Sequence, residues 1–318
     1  MSGAFSPAPP DETALHERAD RIESLEEWTT FHALFPLAVI FGLIVRSLIH
    51  GNTAHIVEVV ILTTFFAAFW FLTYEQRARL PKTTNFFRYM LPLILYGAAY
   101  LPLHEMMSAD NPDSAYLLDG LLQSIDLMLF GTDPIIWMGN HGHPLLTDVL
   151  YLSYFSYYFG MPILMILMFR GNRRQDFHRT LAAMIIGWYG ALFTYAMCPA
   201  IGPCRWIPDQ LPVLHGWLPT TAWVQAFLAV NLAPAVRDCV PSMHTGVTLL
   251  TLIFAYRFQR RYFWFFLFPG IGIIFATMYI QAHYVIDVIL GIGAAGIIYW
   301  LSGIVYPENP ALSKFRRS

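Results

Sequence analysis

Long apolar runs separated by short polar turns constrain this chain more than any other feature. A helix needs about 20 apolar residues to cross the hydrocarbon core of a bilayer. Hydrophobic residues make up 56% of the 318 residues and charged residues only 13%. We therefore predict an all-α, polytopic integral membrane helical bundle. The eight predicted spans cover about residues 31–49, 54–74, 89–104, 146–169, 179–198, 242–258, 262–281 and 283–303.

Basic residues give an independent check on this topology, because cytoplasmic loops collect Lys and Arg. With eight spans and both termini in the cytoplasm, sixteen of the nineteen basic residues fall on the cytoplasmic side. Only Arg46, Arg205 and Arg237 fall on the other side. That outer side corresponds to the periplasm, the cell exterior or an organelle lumen.

The charge pattern divides the chain into a polar cytoplasmic segment (1–30), one membrane domain (31–305) and a basic cytoplasmic tail (306–318). The first segment lacks the basic start and short apolar core of a cleaved signal, so we expect the first span to remain as an anchor. The interval 114–140 is only moderately apolar, and we predict that it is interfacial or re-entrant. A net charge of −2 argues against a nucleic-acid partner. The sequence leaves the oligomeric state open.

Two stretches place ionisable side chains at the starts of predicted spans. Pro241-Ser242-Met243-His244 opens the sixth span, and His283-Tyr284-Val285-Ile286-Asp287 opens the eighth. Both spans begin on the outer side, so the two histidines and Asp287 can meet there. Residues four apart share a helix face, so Asp287 can accept the proton on one nitrogen of His283 and leave the other as a nucleophile or base. A polar pair that merely joins two helices is the competing interpretation, which the cost of ionisable groups in a membrane disfavours.

The pattern Pro-Ser-x-His, followed by His-x-x-x-Asp, resembles the second and third motifs of the type 2 phosphatidic acid phosphatase superfamily. The resemblance covers about residues 120–300 and implies a six-helix phosphatase-like catalytic core at about residues 89–303. It implies that His283 attacks phosphorus and forms a phosphohistidine, that Asp287 orients His283, and that His244 protonates the leaving oxygen. This chemistry requires no cofactor and no metal.

The sequence departs from the family's usual pattern at two places. The arginine six residues before the third-motif histidine is replaced by Thr277, and the first motif, a Lys followed seven residues later by Arg-Pro, is missing. Lys82 and Arg88 look similar to that motif but fall on the cytoplasmic side. These departures resemble the branch that contains inositol phosphorylceramide synthase and sphingomyelin synthase. Further similarities to that branch are Phe130-Gly131 with Pro134 and a tyrosine-rich span containing Tyr151, Tyr154, Tyr157 and Tyr158.

Other groups must supply the positive charge of the missing arginine. We expect Arg205 and Arg237 to bind phosphate, because arginine favours bidentate phosphate contacts. The alternative is that they bind lipid headgroups or the nearby Asp209 and Asp238. Ser242 is a further phosphate-binding candidate, since free N–H groups at a helix start attract anions.

The motifs together predict a membrane enzyme, a lipid phosphate phosphatase or phospholipid headgroup transferase. It moves a phosphoryl or phospho-headgroup from a lipid phosphate ester to a lipid alcohol of the ceramide or diacylglycerol type, or to water. The alternative is a non-catalytic lipid-phosphate transporter or binding protein. Such a protein needs positive charge but has little use for a proton donor opposite a nucleophile.

Cysteines and loop histidines complete the candidate groups. Cys198, Cys204 and Cys239 all fall on the outer side, and a bridge between the last two is a hypothesis that an oxidising compartment would permit. His141 and His143 are too few for a closed metal site, so we predict that they are loop histidines.

Overall fold

The computed structural model describes residues 30–74, 80–110, 117–171, 174–231 and 236–307. Nearly all of the predicted N-terminal segment (1–30) and basic tail (306–318) lies outside the described residues. Within the described ranges the chain forms twelve α-helices. They are α1 (Phe31–Ile49), α2 (Ile56–Tyr74), α3 (Lys82–Asp110), α4 (Asp119–Phe130), α5 (Pro134–Asn140), α6 (Pro144–Arg170), α7 (Arg174–Met197), α8 (Pro203–Trp206), α9 (Pro219–Asn231), α10 (Met243–Phe258), α11 (Phe263–Tyr279) and α12 (Val285–Val305).

Among the described residues, seven helices are long and apolar enough to cross a membrane. They are α1, α2, α3, α6, α7, α11 and α12, and they confirm the predicted polytopic helical bundle. The interval predicted as interfacial or re-entrant forms α4 and α5, whose 12 and 7 residues are too few to span.

The sixth predicted span forms α10, which has only 16 residues and is therefore not among these seven. Its first turn begins deep in the bundle, because His244 contacts Tyr154. Tyr154 lies about 15 Å along α6 from the start of that helix. The first part of α6 and the loops around it therefore extend beyond the start of α10. Because these segments cover that end of the bundle, α10 can be shorter than its neighbours.

Helix α3 differs most from the sequence prediction. The expected span at 89–104 is a helix of 29 residues that continues through Arg88. Arg88 is fully buried, with its guanidinium 4.3 Å from the centroid of the Trp70 ring and its Nε donating to Thr73 Oγ1 at 3.1 Å. A cation over an aromatic face is stabilised by the ring quadrupole. These contacts stabilise the charge of Arg88 within the helix. The sequence prediction instead begins the span after Arg88 because of that charge.

Helix α10 lies at the centre of the bundle, where it contacts α6, α7, α11 and α12. Helix α6 packs along α11, and α7 packs against α12. Helices α1 and α3 pack on α7, with α2 against α3. The six helices predicted as the core correspond to α3, α6, α7, α10, α11 and α12. This arrangement places the first turn of α10 inside the bundle.

Candidate active site

The start of α10 is fixed by a helix cap. Ser242 is the N-cap residue, and its Oγ accepts the backbone N–H of Thr245 at 3.4 Å. The Thr245 hydroxyl also donates to Ser242 Oγ at 3.3 Å, and both residues are fully buried. The contacts of the Ser242 hydroxyl are thus those of a cap, which satisfies a free N–H group at the helix start. His244 follows as the second residue of the helix.

His283 lies in the turn between α11 and α12 and not on a helix. Helix α12 begins two residues later, at Val285. The backbone N–H groups of Ala282 and His283 both donate to the carbonyl of Thr277, at 3.1 and 3.0 Å. Gln281 has a positive φ of 66°, the left-handed conformation that commonly ends a helix. The prediction that His283 shares a helix face with Asp287 is therefore wrong, because a tight helix end positions the imidazole instead.

Asp287 lies in the first turn of α12, where its Oδ2 accepts the backbone N–H of Tyr284 at 3.0 Å. The same Oδ2 lies 3.6 Å from His283 Nδ1. That distance is longer than a hydrogen bond, but catalytic hydrogen bonds often shorten only when substrate is bound. The backbone N–H of Ser242 donates to the Asp287 carbonyl at 3.1 Å, which ties the start of α10 to the start of α12.

The two histidines face each other directly. His244 Nδ1 lies 3.2 Å from His283 Nε2, and the other nitrogen of His244 lies 2.9 Å from the hydroxyl of Tyr154. The Tyr154 ring stacks on His244 with 4.8 Å between centroids. Asp287, His283, His244 and Tyr154 therefore form one continuous line.

One set of tautomers satisfies every contact in this line, and we assign it from the hydrogen-bond pattern. His283 carries its proton on Nδ1, towards Asp287. His244 donates its Nδ1–H to His283 Nε2, and the Tyr154 hydroxyl donates to His244 Nε2. The lone pair of His283 Nε2 then faces a proton of His244.

Cys239 contacts the carboxylate of Asp287. Its thiol donates to Asp287 Oδ2 at 2.8 Å and lies 3.6 Å from His283 Nδ1. Burial, and then the charge of Asp287, raises the pKa of the Cys239 thiol well above its usual value. All three cysteines are free, so the hypothesised bridge from Cys204 to Cys239 is not formed. The ligand atoms of Cys239, His283 and Asp287 lie within 4.8 Å of one another and could hold a metal ion.

The two candidate phosphate-binding arginines lie beside the last part of α3. The backbone N–H of Arg237 donates to His104 Nδ1 at 3.3 Å, and its guanidinium donates to Ser108 Oγ at 2.9 Å. Arg205 Nε donates to the carbonyl four residues before it at 2.8 Å. Burial, and then the charge of Arg205, lowers the pKa of Arg237, so the two cations share one region. Thr277, at the position of the missing arginine, is fully buried in the last turn of α11.

Asp238 is a site residue whose position sequence reasoning missed. Its Oδ2 accepts the hydroxyl of Tyr100, on α3, at 2.5 Å. Burial alone would raise the pKa of Asp238, but His104, the Tyr100 hydroxyl and the two histidines His244 and His283 together hold it below its usual range. The carboxylate of Asp238 therefore lies near the histidine pair. No spacing pattern could reveal this, because Tyr100 lies on a distant helix.

Asp119 and Asp126, on α4, were also missed. Asp119 is fully buried and accepts two backbone N–H groups of the outer loop and the hydroxyl of Tyr284. Asp126 accepts the first two N–H groups of α12, at 2.7 and 2.9 Å. Both residues hold the turn that carries His283. Their one sequence signal is a carboxylate in a moderately apolar segment.

The remaining sequence candidates lie away from this line. Arg88 lies about 18 Å before Tyr100 along α3, near the other end of the bundle. This separates it, and Lys82 before it, from the two histidines. His141 stacks on Trp137 at 4.5 Å, and His143 caps α6, as expected for loop histidines.

The family model of the PAP2 superfamily matches residues 122–301, more than half of the chain. The chain belongs to the PAP2 superfamily. The match contains His244, His283 and Asp287, whereas α1–α3 lie outside it. No curated protein and no solved structure matches the chain. PAP2 membership supports a phosphatase-type enzyme that acts on phosphate esters.

Proposed function

We propose that this PAP2 superfamily protein transfers a phosphoryl or phospho-headgroup from a lipid phosphate ester to a lipid alcohol or to water, through a phosphohistidine at His283. The observation that carries the proposal is the 3.2 Å contact between His283 Nε2 and His244 Nδ1, with Asp287 on the far nitrogen of His283. A site that only bound an anion would need positive charge there. It would not need a lone pair that faces a proton donor.

In the first half-reaction, the lone pair of His283 Nε2 attacks phosphorus and the bond from phosphorus to the leaving oxygen breaks. Protonated His244 gives its Nδ1 proton to that oxygen, so the first lipid leaves as a neutral alcohol. Asp287 stabilises the positive charge that develops on the His283 ring.

In the second half-reaction, the acceptor enters where the first alcohol left. His244 takes the proton from the acceptor hydroxyl, the acceptor oxygen attacks phosphorus, and the bond from phosphorus to His283 Nε2 breaks. His283 returns to its starting state and His244 is again protonated. With water as the acceptor the reaction is hydrolysis. With an alcohol of the ceramide or diacylglycerol type it is transfer, the reaction favoured by the resemblance to the synthase branch.

Electrostatics support these roles. Arg205 and Arg237 are the candidates for binding the phosphate oxygens, whose charge must be stabilised in phosphoryl transfer. Tyr154 can keep its hydrogen bond to His244 in both protonation states, because a hydroxyl can donate to the neutral ring and accept from the protonated one. By the distribution of basic residues, this site faces the outer side of the membrane, with both termini in the cytoplasm.

The proposal is tested by incubating purified protein with a mixed lipid extract, with and without added ceramide or diacylglycerol. Phosphorus-containing products are identified by mass spectrometry, and the protein is assayed for acid-labile phosphate. A new phospholipid formed only with acceptor indicates transfer, and released phosphate indicates hydrolysis. His283→Ala should abolish both products and the phosphoprotein while lipid binding persists. Lipid binding by the wild-type protein without any of these products would favour a transporter or binding protein instead.

A further inference from the structure

An apolar groove lies between α6, α10 and α11. It contains about 510 Å³ of empty space, including its open mouth. Phe159 and Phe265 at its edge are 49% and 60% exposed, so the groove opens on the lipid-facing surface of the bundle. Its walls include Gly160 and Met161 from α6, Val247 and Leu252 from α10, and Pro269 and Ile273 from α11.

The groove is continuous with the histidine pair. Tyr157 lines the groove, and its ring lies 4.6 Å from the ring of His244. On α10, the lining residues begin at Val247 and end at Leu252. These lie about 4.5 Å and about 12 Å beyond His244 along the helix axis. The groove therefore leads from the catalytic end of α10 towards the middle of the membrane.

Two of the hydroxyl groups along the groove already have backbone partners. Ser156 Oγ donates to the carbonyl of Ser153 at 2.6 Å, and Thr251 Oγ1 donates to the carbonyl of Val247 at 2.8 Å. These hydroxyls therefore do not require a polar ligand. Thr248 Oγ1, which also belongs to the lining, is buried without a hydrogen-bond partner among the described residues. Apart from this hydroxyl, the surface that remains is suited to hydrocarbon.

We propose that this groove binds one hydrocarbon chain of the substrate lipid while its phosphate is bound at the histidine pair, His244 and His283. The inference rests on the proposed function, and it names what the enzyme recognises besides phosphate. A helix of a partner protein fits less well, because a cylinder about 10 Å across would fill this volume in little more than one turn. A single acyl or alkyl chain is narrow enough and enters from the bilayer through the open side.

Gly160 offers a direct test. Gly160 lines the groove, and a Cβ added there meets no atom within 4 Å, so the first carbon of a larger side chain displaces no neighbour. Gly160→Leu should lower kcat/KM for a long-chain lipid phosphate at least tenfold and leave a short-chain, water-soluble analogue nearly unchanged. Gly293→Leu on α12 is the matched control, since its Cβ also meets nothing within 4 Å and it does not line the groove.

A second measurement does not depend on turnover. A lipid phosphate with a photoactivatable group in its chain should crosslink to residues of α6, α10 and α11 that line the groove, in the wild type and in His283→Ala. Gly160→Leu should lose these crosslinks, whereas Gly293→Leu should keep them. The proposal that the groove binds the lipid chain would be overturned if Gly160→Leu lost activity equally on long-chain and short-chain substrates. Crosslinks that map to residues outside the groove would overturn it too. If the wild type shows these crosslinks but no turnover, the groove stands and the catalytic proposal fails.

Discussion

At the scale of single residues, Tyr154 decides which nitrogen of His244 carries a proton. Its hydroxyl meets the nitrogen that points away from His283, and its ring packs flat on the imidazole. The orientation of an imidazole is commonly fixed by the hydrogen bond on its far nitrogen. Tyr154 is thus a positioning residue, one that sequence reasoning treated only as part of a tyrosine-rich span.

Tyr154→Phe removes this hydrogen bond and keeps the aromatic contact. We expect kcat to fall about tenfold or more, because positioned acid–base groups contribute factors of about 10² to 10⁴. KM should change little, and the pH profile of kcat should shift because the acid histidine loses its partner. Tyr157→Phe is the control, since that ring also contacts His244, at 4.6 Å, and the substitution keeps the ring. Equal losses in both variants would show that the effect does not depend on the hydrogen bond from Tyr154 to His244.

The thiol of Cys239 provides a second prediction at this scale. A raised pKa leaves less thiolate at neutral pH, and thiolate is the form that reacts with alkylating reagents. Cys239 is also 2% exposed. Treatment of the folded protein with iodoacetamide at pH 7.5 should therefore leave Cys239 unmodified and activity intact, as measured by peptide mass spectrometry. Rapid alkylation of Cys239 ahead of the half-buried Cys198 would contradict the described environment.

At the scale of elements, the active site depends on the close approach of α10 and α12. Gly291 lies at the contact, where an added Cβ would be 2.4 Å from the Ser242 carbonyl oxygen and 3.1 Å from Thr245 Cβ. The backbone bond from Ser242 to Asp287 crosses the same interface. The distance between His244 and His283 therefore depends on how closely the starts of α10 and α12 approach each other. Only a glycine at position 291 allows this approach.

Gly291→Ala should push these helix starts apart and lengthen the distance between the histidines. Because a misplacement of about 1 Å can cost about 10² in rate, we expect kcat to fall by one to two orders of magnitude. Gly293→Ala, whose Cβ would meet nothing within 4 Å, should retain activity. Both variants are compared for turnover and for thermal unfolding in detergent. An active Gly291→Ala enzyme would show that the contact does not set the histidine geometry.

The elements themselves were predictable where hydropathy alone decides them. The spans at α1, α2, α6, α7, α11 and α12 follow from apolar runs, and the cap at Ser242 follows from its residue type. The predicted boundary of α3 failed because Arg88 has partners on α2 that no local pattern reveals. The prediction that His283 shares a helix face with Asp287 was wrong because the chain turns at Gln281. Glutamine is not a residue type that indicates a helix end.

At the scale of the whole molecule, the active site is built from parts that are far apart in sequence. The motif histidines could be found from the sequence, because the chemistry depends on their residue types and short spacing. Asp238 and Tyr100 could not, because their contact joins residues 138 positions apart. Helix α3 lies outside the PAP2 match and yet supports the loop that contains Arg237 and Asp238. Helix α3 is therefore part of the catalytic assembly in our proposal.

The orientation of this assembly in the membrane decides which lipids reach it. The starts of α10 and α12 lie at the end of the bundle opposite Lys82, and the distribution of basic residues predicts that Lys82 lies in the cytoplasm. In intact cells that express the protein, Val213→Cys in the outer loop should react with a membrane-impermeant maleimide. Lys82→Cys should react only after permeabilisation, and labelling is compared with the wild type to subtract the native cysteines. The reverse pattern would place the histidines on the cytoplasmic side, so the enzyme would draw its donor and acceptor from the other leaflet.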